Sequence, residues 1–292
     1  MATESIDLPL IVIAGPTASG KTALAIELAE EFGGEIICAD SRTVYKGMDI
    51  GTAKPTPEEQ AQVPHWGLDL VDPGGRFSAA DFKQYANQKI AEIRSRGHVP
   101  FLVGGTGLYI DAVIFDYQFG PEADGARRAA LEKMSVEQLQ SYCRENNINF
   151  PENDRNKRYL VRAIEQKGIN IRRMSEPIGN SIIVGIATDK DELRTRIGQR
   201  AEQLFENGVV EEAMKLGKMY GWDSEAMTAN IYRLAHSYLE KEISLEEAIV
   251  LFTTLDWRLA KRQLTWLKRN TSINWLSLTE VKKYIQSQLA NE

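Results

Sequence analysis

The chain has 292 residues, enough for one large domain or two ordinary ones, and its 43% hydrophobic and 26% charged residues exclude a disordered or fibrous chain. No apolar run nears the ~20 residues of a membrane-spanning helix, the acidic residues 1–7 lack the basic start of an export signal, and two cysteines, Cys38 and Cys143, without metal-ligand or CxxC spacing fit a reducing cytoplasm. The formal net charge of −6 counts on average against a polyanionic partner.

Residues 8–14 form a continuous apolar run ending at a glycine, the pattern of a strand buried on both faces of a parallel sheet. Residues 22–32 repeat apolar side chains at helical spacing and stop at Gly33-Gly34, and residues 35–39 read as a second strand. This order makes a right-handed βαβ unit with the C-terminal ends of both strands on one edge. Residues 67–71 are expected to form a short strand, residues 79–96 an amphipathic helix, and residues 99–103 a third buried strand running into Gly104-Gly105. The first ~115 residues then belong to a doubly wound α/β sheet, whose ligands bind beyond the carboxyl ends of its strands.

From Gly120 the pattern turns helical and charged, with helices expected over 126–134, 136–146 and 157–166, punctuated by Pro121, Pro151 and Pro177. Residues 181–187 return to a buried-strand run, and helices follow over 190–207, 210–219, 226–240 and 245–268. With a GxxxxGK[ST] pattern at 15–22, the expected fold class is α/β: a P-loop NTPase-like parallel sheet core over 1–118, a helical insertion over 119–180, and core completion with C-terminal helices over 181–292. Two stretches reverse the overall charge. Between Arg155 and Arg173, Arg155, Lys157, Arg158, Arg162, Lys167, Arg172 and Arg173 face only Glu165, and between Trp257 and Arg269, Arg258, Lys261, Arg262, Lys268 and Arg269 face no acid.

Gly15-Pro16-Thr17-Ala18-Ser19-Gly20-Lys21-Thr22 matches GxxxxGK[ST] directly between a predicted strand and helix. The glycines let backbone N–H groups turn inward around phosphate oxygens, the helix N-terminus adds its positive end, Lys21 supplies a charge and Thr22 a Mg²⁺ ligand. Asp40 ends the second strand; if that strand neighbours the first at ~4.8 Å, its carboxylate opens onto the same edge as the phosphate cradle. There it can be a general base, a Mg²⁺ ligand through water, or a turn cap. Asp72, before Pro73, is better read as a turn residue. Thr106 in Gly104-Gly105-Thr106-Gly107 follows the third strand and can offer a hydroxyl to a phosphate. Arg258, Arg262 and Thr265 lie on one side of the basic helix, with Lys261 and Lys268 beside them and Gln263 and Trp266 in other directions, an arrangement that fits RNA or a solvated face. His65, His98 and His236 have no metal-ligand spacing.

Together these segments resemble the tRNA dimethylallyltransferases, which modify the adenosine just 3′ of the anticodon. Within residues 8–113 the similar blocks are 15–22, 40–55, 63–65, 77–82 and 104–109, with 40–55 the most specific; 158–165 resembles the family weakly, 259–268 strongly, and Tyr232-Arg233 with 237–244 also look like its C-terminal helices. The resemblance implies that the P-loop holds the diphosphate of dimethylallyl diphosphate with Mg²⁺, although such a loop is often described as an ATP site. It implies that Asp40 is the base on the adenine amino group, with Thr17 and Thr106 beside the reacting centre. Asp40, Ser41, Arg42 and Thr43 would touch tRNA. So would Arg158, Tyr159 and Arg162 in the insertion, and Lys261, Arg262, Gln263, Thr265, Trp266 and Lys268 in the basic helix. Tyr159 stands where the family commonly has arginine, Ile231 where it has glycine, and the 119–151 segment is short. The expectation is a cytoplasmic, monomeric enzyme without a membrane partner. A P-loop kinase of a small metabolite explains Gly15–Thr22 and Asp40 but leaves the Thr106 loop and the basic helix without a role. A tRNA-binding relative without catalysis predicts a decayed donor site, which this sequence does not have.

Overall fold

The structure, a computed structural model, describes residues 8–120, 124–151, 153–167 and 173–289. The acidic start, Pro121 and Arg172 lie outside the described residues. The chain forms two compact units, Met1–Ile114 with Pro177–Glu292, and Phe115–Glu176.

In the first unit, strands β1 (Leu10–Ala14), β2 (Gly34–Ala39), β3 (His65–Trp66), β4 (Val99–Gly104), β5 (Ser181–Ile186) and β6 (Asn274–Leu276) build one parallel sheet in the order β3-β2-β4-β1-β5-β6. Every residue of β1, β2 and β4 is buried, as in strands covered on both faces, with Glu35 of β2 the one charged residue among them. The βαβ unit of β1, α1 (Lys21–Phe32) and β2 is present, but β2 does not neighbour β1. Strand β4 lies between them and pairs with both, Val12 with Leu102 and Leu102 with Ile37. All three runs are mostly apolar, so their composition could not say which is central.

The edge strand is also displaced from expectation. It is His65–Trp66, and the 67–71 run makes only a Tyr45–Val71 bridge, because Gly67 (φ 85°) and Asp69 (φ 54°) take left-handed backbone that an extended strand cannot include. Asp72 sits in a turn, its carbonyl accepting Gly75 N–H at 2.7 Å. Helix α2 (Pro57–Gln62), not expected from the sequence, starts at a Thr56/Glu59 capping box. A Ser78/Asp81 box starts α3 (Ala79–Ser95), and α4 (Gly107–Ile114) follows β4.

After β5 come α8 (Lys190–Glu206), α9 (Val209–Tyr220), a 3-10 turn (Ala226–Thr228), α10 (Asn230–Leu239), α11 (Leu245–Leu267) and α12 (Leu278–Leu289). The single helix expected over 226–240 is split by extended backbone at Ala229 (φ −62°, ψ 143°). The C-terminal region is not wholly helical either, since β6 joins the sheet beside β5; three residues are too few to show a strand's alternation. None of the described helices is long and apolar enough to cross a membrane.

At the edge opposite the strand C-termini, the buried Glu35 carboxylate accepts from Arg96 (3.0 and 2.8 Å), His98 (2.7 Å) and Trp66 (2.6 Å), tying β2 to the chain around β3 and β4. Burial works to raise its pKa, but these bonds outweigh it and hold the carboxyl near 2.

The second unit contains α5 (Gly125–Lys133), α6 (Val136–Glu145) and α7 (Lys157–Glu165), with its own core of Leu131, Leu139, Cys143, Ile148, Leu160, Val161 and Ile164. An Arg128–Glu165 ion pair at 2.9 Å ties α5 to α7. Arg158, Tyr159 and Arg162 are exposed on α7, opposite its apolar stripe.

Candidate functional site

A cavity of about 590 Å³ opens at the C-terminal edge of the sheet, where the ends of β1, β2 and β4 meet. Thr17 to Thr22 line it from the β1–α1 loop, while Gly15 and Pro16 lie buried behind. Positive φ at Ala18 (59°) and Gly20 (86°) turns the loop back over the start of α1; Gly20 is the N-cap, a position where a left-handed backbone suits glycine. Lys21 Nζ donates to Pro16 O at 3.1 Å. Burial lowers the Lys21 pKa to about 8; Asp40 and Asp256 work against that and Arg200 works with it. Ser19 Oγ is buried and has no hydrogen-bond partner among the described residues, an orphan hydroxyl within a phosphate-type loop.

Asp40 lies one strand further away than the sequence suggests, but the parallel register keeps it on the same rim: Ala39 pairs with Gly104, and Gly104 with Ala14. Its Oδ1 accepts Arg42 N–H at 2.8 Å, so Asp40 does cap its turn, and Oδ2 takes no hydrogen bond from the described residues. Thr106 stands beside it, donating its N–H to Ala39 O (3.2 Å) and accepting Ser41 N–H at Oγ1 (3.0 Å). Ser41, Arg42 and Thr43 continue the wall. The Cys38 thiol, which burial pushes up to about 12, stays protonated there.

The wall formed by Gly51, Thr52, Ala53 and Pro55 is held by two charged side chains, Glu212 and Lys54. Glu212 on α9 accepts the N–H groups of Asp49, Ile50 and Gly51 (2.8, 2.7 and 2.8 Å) and the Tyr232 hydroxyl (2.7 Å). Buried Lys54 donates to Tyr45 O (3.0 Å), Asp49 (2.6 Å) and Asp69 (2.7 Å). Much of the 40–55 block is thus committed to building this wall.

Helix α11 has two faces. Outward, Arg258, Lys261, Arg262 and Thr265 are exposed, as are Lys268 and Arg269 just past the helix end. Inward, Gln263 Oε1 accepts Thr17 N–H at 2.9 Å, and Trp266 Nε1 donates to Asp111 Oδ2 at 2.7 Å. Gln263 and Trp266 therefore direct their polar groups into the protein, apart from the outward cations.

Two residues at the site escaped the sequence reading. Arg200 on α8 donates to Thr17 Oγ1 and pairs with Asp256 Oδ2 at 3.0 Å. Burial raises the Asp256 pKa, opposed by Arg200. A signal for Asp256 existed: it is a carboxylate on the same stripe as buried Phe252 and Ala260, where an apolar residue is expected.

Among the described residues there is no cluster of three or more His, Cys, Asp or Glu able to cage a metal. A Thr22 hydroxyl lining a phosphate cradle fits an ion held mainly by phosphate oxygens and water, which is how Mg²⁺ is usually bound.

The IPP transferase family model matches residues 43–270. The tRNA dimethylallyltransferase of Bacillus velezensis is 36% identical over 93% of this chain and 91% of its own length, and that of Moorella thermoacetica 39% over 94% and 91%. The crystal structure of the tRNA isopentenylpyrophosphate transferase from Bacillus halodurans superposes with a TM-score of 0.74 at 36% identity, covering 97% of both chains. A family match through more than half the chain, relatives alike over almost its whole length and a shared parallel-sheet fold agree: the chain belongs to the IPP transferase family.

Proposed function

We propose that the protein transfers a dimethylallyl group from dimethylallyl diphosphate to the N6 amino group of the adenosine 3′-adjacent to the anticodon in tRNA. The observation that carries this reading is one cavity whose rim brings together a phosphate loop, the Thr106 hydroxyl and the Asp40 carboxylate, under a helix with cations on its outer face. Family membership supports the transferase over the small-metabolite kinase.

In the reaction the adenine nitrogen attacks C1 of the prenyl chain, the C1–O bond breaks, and the electron pair leaves with the diphosphate. The backbone N–H groups of 17–22 and the Lys21 ammonium stabilise the charge that develops there. Mg²⁺, held at Thr22 and the diphosphate, would add Lewis-acid stabilisation of the same oxygens. Asp40 takes the proton through Oδ2, while the Arg42 N–H on Oδ1 orients the carboxylate. Thr17, held by Arg200 and Gln263, and Thr106 flank the reacting carbon. Adenine must leave its stack to enter the cavity. Arg42 and Thr43 at the rim, Arg158, Tyr159 and Arg162 on α7, Lys261, Arg262 and Thr265 on α11, and Lys268 at its C-cap hold the RNA. The protein acts as a cytoplasmic monomer in this reading.

The test is mass analysis of nucleosides from an anticodon stem-loop incubated with protein, Mg²⁺ and dimethylallyl diphosphate. A prenylated adenosine formed at the position 3′ of the anticodon is expected. ATP turnover on a small metabolite, with the RNA unmodified, would overturn the reading.

A further inference from the structure

The carboxamide of Gln263 lies where two glycine loops converge. Its Oε1 accepts the Thr17 N–H at 2.9 Å, and its Nε2 occupies space that a side chain at residue 105 would need. A Cβ on Gly105 would come within 2.6 Å of that nitrogen and 2.9 Å of the Gly15 carbonyl oxygen, so glycine here makes room for an amide between the two loops. Two helical turns earlier on the same side of α11, Asp256 meets the Thr17 hydroxyl at 3.5 Å and pairs with Arg200, which also bonds that hydroxyl. One helix thus holds Thr17 at its N–H and, through the Asp256–Arg200 pair, at its hydroxyl.

We propose that Gln263 is a positioning residue, which sets the Thr17 peptide against the Gly105–Thr106 loop so that the Thr17 and Thr106 hydroxyls address the same reacting carbon. The residue type fits the task. A glutamine offers a neutral acceptor to the N–H, whereas a carboxylate would repel the diphosphate and a lysine has no acceptor. The leaving oxygen and the attacking nitrogen must line up, so a loop turned by a fraction of an ångström slows the chemical step more than it weakens binding. This inference rests on the transferase reading, but one part of it concerns the substrate-free protein alone: the Thr17 amide is held by the Gln263 side chain.

The experiment uses the full chain and two variants, Gln263→Met, of similar length without the acceptor, and Gln263→Glu, which keeps it. In Gln263→Met the Thr17 amide resonance should shift and its hydrogen exchange accelerate. The single-turnover rate at saturating tRNA and donor should fall about 10–100-fold, with tRNA affinity and its salt slope unchanged within about twofold. In Gln263→Glu the Thr17 amide resonance should return toward the parent position while donor affinity falls. If Gln263→Met instead weakens tRNA binding about tenfold and leaves the saturated rate intact, Gln263 is an RNA contact and the proposal fails; an unmoved Thr17 amide also defeats it. Should Gln263→Met not fold, Gln263→Glu decides alone, and unchanged donor affinity and saturated rate would overturn the assignment. A parent protein that transfers no prenyl group defeats the transferase reading, while the amide measurement still stands or falls by itself.

Discussion

Asp40 caps the Arg42 N–H with one carboxylate oxygen, and the base role proposed for it falls to the other, which makes no such bond among the described residues. Substitution by asparagine separates them. The carboxamide oxygen would still accept the Arg42 N–H, so the turn should survive, but the amide cannot take a proton at neutral pH. Asp40→Asn should therefore cut turnover by ~10²–10⁴ while tRNA and donor binding persist; near-normal turnover, or rescue by excess Mg²⁺, would assign Asp40 to the cap or the metal instead. Lys21 makes a pH-dependent prediction. Burial lowers its pKa to about 8, so its positive charge is present below that pH and lost above it. Donor affinity measured by calorimetry should weaken as pH rises through about 8, and Lys21→Met should bind more weakly at neutral pH and lose most of that dependence.

At the scale of elements, α11 works as a two-sided part: a cation face outward and a hydrogen-bonding face toward the phosphate loop. A helix face of exposed lysine and arginine contributes to RNA affinity through counterion release, which sets a linear dependence of log affinity on log salt. Lys261→Ala and Arg262→Ala should each reduce that slope by about 1 while leaving donor affinity unchanged. Filter binding across a salt series measures it, and unaltered slopes would make this a solvated face. The basic run was legible because charge and helical angle are local properties. Its inner face was not: that Gln263 meets Thr17 depends on a partner 246 residues away.

At the scale of the molecule, the Phe115–Glu176 unit leaves and re-enters the sheet-bearing unit at adjacent points, for Ile178 N–H donates to Ile114 O at 2.7 Å. It has its own apolar core. Replacing it by a short glycine-serine linker should therefore leave the sheet unit folded, with a cooperative melt and donor affinity within about threefold, since the described residues that line the cavity belong to the sheet-bearing unit. tRNA affinity should fall about tenfold or more with the loss of Arg158 and Arg162. Loss of donor binding in a protein that still melts cooperatively would show that the unit serves the donor site as well.

The sequence by itself determined what one or two turns of chain can carry. An apolar run, a glycine loop and an amphipathic segment specify a buried strand, a P-loop-type turn and a helix, because each depends on neighbours a few residues away. Asp40 and Thr106 were legible as rim residues because strands of a parallel sheet end on one edge. Only the tertiary structure decided that β4 separates β1 from β2, that β6 completes the sheet, and that Arg200 and Asp256 converge on Thr17. The physical reason is the same for each. Strands that are mostly apolar are hard to rank by composition, a three-residue strand has too little pattern, and a charged residue on a helix shows its partner only when another helix packs against it.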